Sequence, residues 1–415
     1  MNNHNILYDG SEVWSFGCNF YGQLGLGFKK SKYAYEAEAM LVMTCDRIKK
    51  IACGGDHTFI LKNDGCIYSF GHNYYGQLGL GDDIYRSKPT LMMIDPTVNK
   101  IVCGMHHTFI LKDNKNLYCF GHNDCGQLGL SDNDNRTVPT LLMTDPTIKK
   151  IVCGADYTFI LKNNGDLYCF GSNHSGQLGL GDAIDRTSPT LLMTDPTICK
   201  IVCGAKHTFI IKSNGDLYFF GDCKHGVGHC YRQNTNFDIM HKTNTPKLLT
   251  TDVGIKQIAC GERHTFILKD DGDLYCIGGN NSGQLGIGSK KGRTYPELMM
   301  HNNKIRKVVC GHQHTFILKS NGKLYSFGHN NTGQLGLGNN KAKIKPTLMM
   351  IKDDLVSING KRIKPLIWTP AIYPTLSICR KNQIKNFLCV CYFYKQKYNI
   401  DMVKYMRHMV IGLLF

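Results

Sequence analysis

Long apolar runs are missing from this chain, and no apolar segment follows its polar start, Met1-Asn-Asn-His-Asn. The first absence excludes a membrane-spanning helix, which needs roughly 18 consecutive apolar residues. The second predicts no secretory leader, and hence an intracellular protein, cytoplasmic or nuclear. Acidic residues are in deficit: 32 Asp and Glu face 49 Lys and Arg, a net charge of +17. No Ser/His/Asp set, carboxylate pair or nucleotide motif stands out, so the sequence implies neither an enzyme nor a cofactor. Cysteine is plentiful, at nineteen. Six of these recur at one repeat position: Cys53, Cys103, Cys153, Cys203, Cys260 and Cys310. Equivalent positions in radial units lie too far apart for the short Cα separation of a disulfide. They read as reduced, buried, small apolar residues.

What is present is a repeat of about fifty residues. It starts with Cys-Gly-x-x-His-Thr and continues through Leu-Tyr-x-Phe-Gly-x-Asn-x-x-Gly-Gln-Leu-Gly. The second half recurs at Trp14–Gly25, Tyr68–Gly79, Gly121–Gly129, Gly171–Gly179, Gly278–Gly286 and Gly328–Gly336. A further copy, Tyr218-Phe-Phe-Gly221, loses Gly-Gln-Leu-Gly. Each unit holds four short β-rich runs, with a glycine-bearing hairpin turn such as Asn163-Asn-Gly165 between the second and third. Four antiparallel strands per unit is one propeller blade. The glycines fit backbone shape and close packing. A phosphate loop would open a helix and carry Lys-Ser/Thr, which does not follow here.

Six full units start at Ile51, Ile101, Ile151, Ile201, Ile258 and Val308. A partial unit precedes them, and Leu355–Gly360 matches the strand it lacks. The prediction is an all-β, seven-bladed propeller of four-stranded antiparallel blades over 1–360, its two ends sharing one blade. A basic tail over 361–415 carries a short α-helical appendage, with Ile384, Phe387, Leu388 and Cys391 at helical spacing. Residues 352–415 hold 11 Lys and Arg against 3 Asp and Glu.

With these two linked motifs the chain resembles the regulator of chromosome condensation repeat family over about residues 6–360. The resemblance implies a seven-bladed propeller with shared terminal closure. The founding member is a nuclear guanine-nucleotide exchange factor for the small GTPase Ran that also docks on chromatin. Relatives include ubiquitin-ligase subunits, an ultraviolet sensor and scaffolds. The sensor needs clustered tryptophans, and this chain has only Trp14 and Trp368. A ligase with its own catalytic domain needs more than the 55 residues that follow the propeller. Three readings remain: a non-catalytic interaction scaffold, a guanine-nucleotide exchange factor, and a substrate adaptor of a ubiquitin ligase. The last rests on Thr375–Leu388, which resembles the start of a box that recruits elongin and cullin. The expected partner is a protein, such as a small GTPase or a chromatin component, and the chain is expected to be a monomer.

Several residue sets carry the candidate sites. His57, His107, His207, His264 and His314 recur once per blade, with Tyr157 in the sixth place, which fits hydrogen bonding across blades better than a metal. Arg86, Arg136, Arg186 and Arg293 also recur once per blade, a pattern of structural ion pairs more than of a phosphate grip. The two residues before each histidine vary freely. Asp56, His106, Asp156, Lys206, Arg263 and His312 are therefore the candidate partner surface on one face, against the alternative of solvated loop tips. The irregular stretch after Gly221 offers Cys223, His225, His229 and Cys230 as thiol and imidazole ligands. Their spacing departs from the usual zinc pairs, so no metal is assigned.

Overall fold

The computed structural model describes residues 3–8, 10–27, 35–45, 47–222, 242–252, 254–301 and 304–349. They form 27 strands in seven antiparallel sheets and no helix, so the predicted seven-bladed propeller is present. Six sheets have four strands in chain order; the first has three, His4–Tyr8, Glu12–Cys18 and Tyr35–Thr44. The closing strand expected at 355–360, the helical tail, and Cys223, His225, His229 and Cys230 lie outside the described residues.

Blade 3 shows the pattern: Val98–Cys103, His107–Lys112, Asn116–Gly121 and Arg136–Thr144. First strands of neighbouring blades touch, so they surround the hub. The fourth strand is the outer one and is half-exposed along its length. The second strand is buried on both faces, which suits the unbroken run His-Thr-Phe-Ile-Leu. Its alternate residues serve two different cores. Phe109 and Leu111 face blade 4, while Ile110 packs with Phe59 and Leu61 of blade 2. The hydrophobic clusters therefore lie between blades, not within them. Phenylalanines meet edge-on there, Phe59 with Phe120 at 6.0 Å and Phe109 with Phe170 at 6.1 Å. The ring closes on Leu7 and Phe16 of blade 1 against Phe316 and Leu318 of blade 7.

A buried polar belt runs through the same layer. His57 Nε2 lies 3.1 Å from Thr108 Oγ1, and His107 Nε2 lies 3.1 Å from Thr158 Oγ1. His264 reaches Thr315 at 3.0 Å. Each threonine hydroxyl also donates backward, as Thr108 does to the Gln77 carbonyl at 3.2 Å and Thr158 to that of Gln127 at 3.1 Å. A hydroxyl has one proton. Having given it to glutamine, threonine must accept from the histidine, which fixes the Nε2–H tautomer. Tyr157 keeps the belt by donating to the His207 carbonyl at 2.6 Å and touching Thr208. The belt also passes through blade 1, where His4 reaches Thr58 at 2.9 Å and His314 reaches Asn5 at 3.3 Å. His4 and Asn5 are thus the seventh His-Thr pair, which the sequence reading missed because Asn replaces Thr.

Close approach of backbone explains two of the repeated glycines. A Cβ on Gly54 would sit 2.0 Å from the His57 ring. Gly76 has φ +79°, and its Cβ would lie 2.5 Å from Thr137 Cα of the next blade. The loop it belongs to is self-bonded. Asn73 accepts from Leu78 N and donates to the Asp82 carbonyl, and Leu78 is fully buried. The arginine ring is structural, as expected. Arg86, Arg136 and Arg186 bind Asp82, Asp132 and Asp182 at 2.6, 2.5 and 2.6 Å, and Arg293 binds Glu297.

Blade 5 keeps four strands although it lost Gly-Gln-Leu-Gly. Where that loop is present, the x of Tyr-x-Phe-Gly is small. Ser15, Ser69 and Ser326 donate to the carbonyls of Leu24, Leu78 and Leu335. In blade 5 the position is Phe219, 2% exposed, packed on Phe209 at 5.2 Å. A large side chain stands where no loop leucine is available.

Two predictions follow from the belt. Thr108→Val leaves the His57 N–H and the Gln77 carbonyl unsatisfied, and should cost about 2–3 kcal/mol in denaturant unfolding. Burial lowers the histidines: His4 to about 4, and His107, His264 and His314 to about 3. In the unfolded chain they titrate near ~6.5. Their contribution is therefore complete above the unfolded value and is lost as pH falls toward the folded one. Each should add a slope of about 1.4 kcal/mol per pH unit in that window. Unfolding free energies that stay flat from neutral pH to pH ~4 would contradict buried neutral imidazoles.

Candidate interaction face

Among the described residues, two loops from each of blades 2, 3, 4, 6 and 7 meet on one face. The first is the Gly-x-x-His turn between strands one and two. The second is the Gly-x-Asn-x-x-Gly segment after strand three. Main-chain bonds zip them together: His72 N to the Asp56 carbonyl, His122 N to that of His106, and Ser172 N to that of Asp156, at 2.8, 2.9 and 2.8 Å. The same bond joins Asp222 to Lys206 and Gly279 to Arg263. First loops also bond to one another around the hub, Gly55 N to the Met105 carbonyl and Met105 N to that of Ala155. This fixed backbone sets the places of the variable side chains.

The structure brings Asp56, His106 and Asp156 into one network, but through residues that sequence reasoning had assigned to the scaffold. His72 lies between Tyr21 and His106, with ring centroids at 4.3 and 5.5 Å. Tyr75 touches His106 at 5.5 Å and His122 at 4.2 Å. Tyr74, 69% exposed, packs on Tyr75, and Phe20 is 60% exposed beside Tyr21. Asp56 accepts from Gln23 of the preceding blade at 2.9 Å. His122 Nε2 lies 3.0 Å from Asp124. These extra residues occupy the x positions of Gly-x-Asn-x-x-Gly. Their variation within an otherwise fixed motif was the available signal.

Arg263 and His312 form a second group, around Glu262, at 3.3 and 3.2 Å. Gln313 also donates to Glu262, at 3.1 Å. Lys206, between the two groups in chain order, is exposed. Asp56, His106, Asp156 and His312 are half-buried and engaged, so the solvated-tip alternative describes Lys206 and Arg263 better than the other four.

Electrostatics separates the histidines. Burial pushes His106 down to about 4, against Asp156 and Asp56. Burial also lowers His72, against Asp56. His122 goes the other way. Burial opposes its charge, but hydrogen bonds to Asp156 and Asp124 outweigh this and raise it above the usual value. Burial likewise works against the Asp156 carboxylate, yet His122 and its neighbours hold it below the usual range. Two effects compete at His122 Nδ1. Gln127 Nε2 donates to it at 2.6 Å, which needs a bare nitrogen, while Asp156 lies 3.8 Å away and favours a proton there. Gln127 Oε1 is held by Cys125 N. Gain of a proton by His122 therefore displaces the amide and is coupled to the loop around Cys125.

The face offers aromatic surface, carboxylates and imidazoles suited to binding a protein surface. Among the described residues no group of three or more His, Cys, Asp or Glu is placed to hold a metal. No helix among them is long and apolar enough to cross a membrane. All fourteen described cysteines are free, and burial pushes Cys53, Cys103 and Cys203 up to about 12, far from reactive thiolates.

The RCC1-like domain family matches this chain over residues 2–195 and 141–365. The probable E3 ubiquitin-protein ligase HERC4 of Rattus norvegicus is 40% identical over 86 residues, 20% of this chain and 8% of that protein. The X-linked retinitis pigmentosa GTPase regulator of Canis lupus familiaris is 35% identical over 82 residues, again 20% and 8%. The matched stretch thus spans under a tenth of either relative's length. Among solved structures, Prp20p of Saccharomyces cerevisiae superposes with a TM-score of 0.70 at 22% identity, covering 84% of this chain and 88% of that one. That structure's description names binding to Gsp1p and histones.

Asp156→Asn removes one of the two carboxylates that favour the His122 cation. The His122 resonance, followed by NMR, should titrate at lower pH in this variant, with the fold retained. An unmoved midpoint would mean that Asp124 alone sets it.

Proposed function

The chain belongs to the RCC1-like domain family, and we propose that it acts as a non-catalytic protein-interaction scaffold. Its partner surface is the face built on Asp56, His106 and Asp156, extended by His72, Tyr75 and His122. The observation that carries this reading is that variation and exposed aromatic surface coincide there. Tyr74 and Phe20 stand out above a rigid, hydrogen-bonded loop ring. Exposed aromatics of this kind anchor protein interfaces. The relatives' names point in different directions, to a ligase and to a GTPase regulator. The stretch they share with this chain is repeat sequence, so it supports a common binding scaffold and neither activity by itself. Reduced cysteines support an intracellular setting. Residues 1–360 are taken as one propeller and 361–415 as an appendage.

Affinity capture with mass spectrometry tests the reading, using the full chain, a Tyr75→Ala/His122→Ala variant and a Lys323→Ala control on the exposed turn between strands two and three of blade 7. The scaffold reading expects partners lost by the double variant and kept by the control. Partners kept by both would remove this face from the function. A captured small GTPase released by added guanine nucleotide would replace the scaffold with an exchange factor. Elongin or cullin captured only when 361–415 is present would replace it with a ligase adaptor.

A further inference from the structure

The opposite end of the hub has a different chemistry. The six first strands described are Ile48–Cys53, Val98–Cys103, Ile148–Cys153, Ile198–Cys203, Ile255–Cys260 and Ile305–Cys310. Each ends at the interaction face and starts at the far mouth. Together they carry nine basic side chains and no acidic one. Five lysines share one register, the third residue of the strand: Lys50, Lys100, Lys150, Lys200 and Lys307. All five are half-buried, while the residue before each is exposed. First strands of neighbouring blades meet around the hub, and Lys50 and Lys200 reach the inner strand of the next blade, to the Ile101 and Lys256 carbonyls.

The sixth blade shows what the register needs for structure alone. Gln257 stands there, donating to the Val308 carbonyl at 2.6 Å and accepting from Val308 N at 3.1 Å. A neutral side chain thus satisfies the open inner edge of the next blade at both groups. Lys50 covers only the Ile101 carbonyl, at 2.7 Å. Lysine is the poorer cap and sets like charges near one another. Burial lowers Lys50, Lys100 and Lys150, and neighbouring lysines lower Lys50 and Lys150 further. The nearby carboxylates are taken by other partners. Asp95, Asp145, Asp195 and Asp252 pair with Lys112, Lys162, Lys212 and Lys269 at 2.9, 3.0, 2.9 and 2.7 Å. Among the described residues no salt bridge engages Lys50, Lys100, Lys150 or Lys200.

We propose that this lysine-lined mouth of the hub is a binding site for a small polyphosphate anion. A compact anion of several charges would satisfy the neighbouring ammoniums of Lys50, Lys100, Lys150 and Lys200, which pair with no carboxylate among the described residues, with lysine acting as a point-charge phosphate ligand. The arrangement of the inner strands in one ring favours one ligand per propeller.

The full chain is titrated calorimetrically with inorganic tripolyphosphate, and separately with orthophosphate, at about 0.15 M salt. Tripolyphosphate should bind one per chain, more tightly than orthophosphate, and weaken as salt rises. Lys50→Gln/Lys100→Gln/Lys150→Gln, using the side chain that Gln257 shows the register accepts, should reduce affinity about tenfold or more. Its melting temperature without ligand should match or exceed that of the unsubstituted chain. Should the triple variant not fold, Lys100→Gln alone carries the test, with about a threefold loss expected. No tripolyphosphate binding, or a folded variant that binds unchanged, overturns the proposal. So does a loss produced instead by Lys361→Gln/Arg362→Gln/Lys364→Gln, which would place the anion on the tail.

Discussion

The blades are joined by one buried relay, imidazole to hydroxyl and hydroxyl to glutamine carbonyl, complete at four of the seven interfaces. It lies in the layer where the interblade cores meet, so the Nε2 and hydroxyl groups must satisfy one another, while Nδ1 of His57, His107, His264 and His314 has no hydrogen-bond partner among the described residues. That requirement explains several things at once. The histidines are neutral and of one tautomer, because threonine has only one proton to give. Gly54 and its equivalents lack a side chain because the imidazole fills that space. Tyr157 and Asn5 depart from the rule and both keep a group able to bond across the interface, and Thr265 departs because blade 5 lacks the glutamine. Blade 1 joins the relay on both sides, so the described residues close the ring through side chains and apolar packing even where blade 1 shows only three strands.

The relay divides the repeat into residues that cannot vary and residues that can. Asn73, Gln77 and Leu78 are consumed by their own loop, and Thr108 ties that loop to the next blade. Positions between them face outward from a backbone that is already fixed. This is why a variable position here is a candidate for binding: its place is set by neighbours that do not depend on its identity. The interaction face inherits rigidity without spending its own side chains on it. The two ends of the hub then diverge, one rich in aromatic rings, imidazoles and carboxylates, the other in lysine.

Much of the fold was legible because it is repeated. Strand order, the hairpin turns, seven blades and the structural roles of Arg86 and its equivalents all follow from residue types recurring at a fixed period. His4 escaped because Asn5 and Ile6 stand where other blades have Thr and Phe, which hides the motif while preserving its bond. The candidate site was legible only by half. Variation before each histidine marked Asp56, His106 and Asp156. Their partners His72, Tyr75 and His122 lie 16 residues later in the same blade or 31 to 34 residues earlier in the preceding one, inside a motif whose fixed letters dominated the reading. The lysine register was hidden differently. Lys50 and Lys100 look like ordinary alternation in a strand until the sheet topology turns that strand toward the axis.

Blade 5 shows how the chain tolerates change without losing the ring. The loop that supplies the leucine and the glutamine is gone from its sequence, and Phe219 stands in place of a small residue. Thr265, which faces that blade, instead meets His207 Nε2 at 3.4 Å and Cys260 Sγ at 3.8 Å. The adjustments are local: a larger side chain for a missing leucine, a neighbouring acceptor for a missing carbonyl. Each blade is therefore judged by its own two interfaces, not by the symmetry of the whole. A propeller built this way can specialise one sector while its other blades remain near-copies. The aromatic and imidazole cluster does so on blades 1 to 3, all of which keep Gly-Gln-Leu-Gly. Departure from the repeat in blade 5 and the clustering of these side chains on blades 1 to 3 are thus separate features of the described residues.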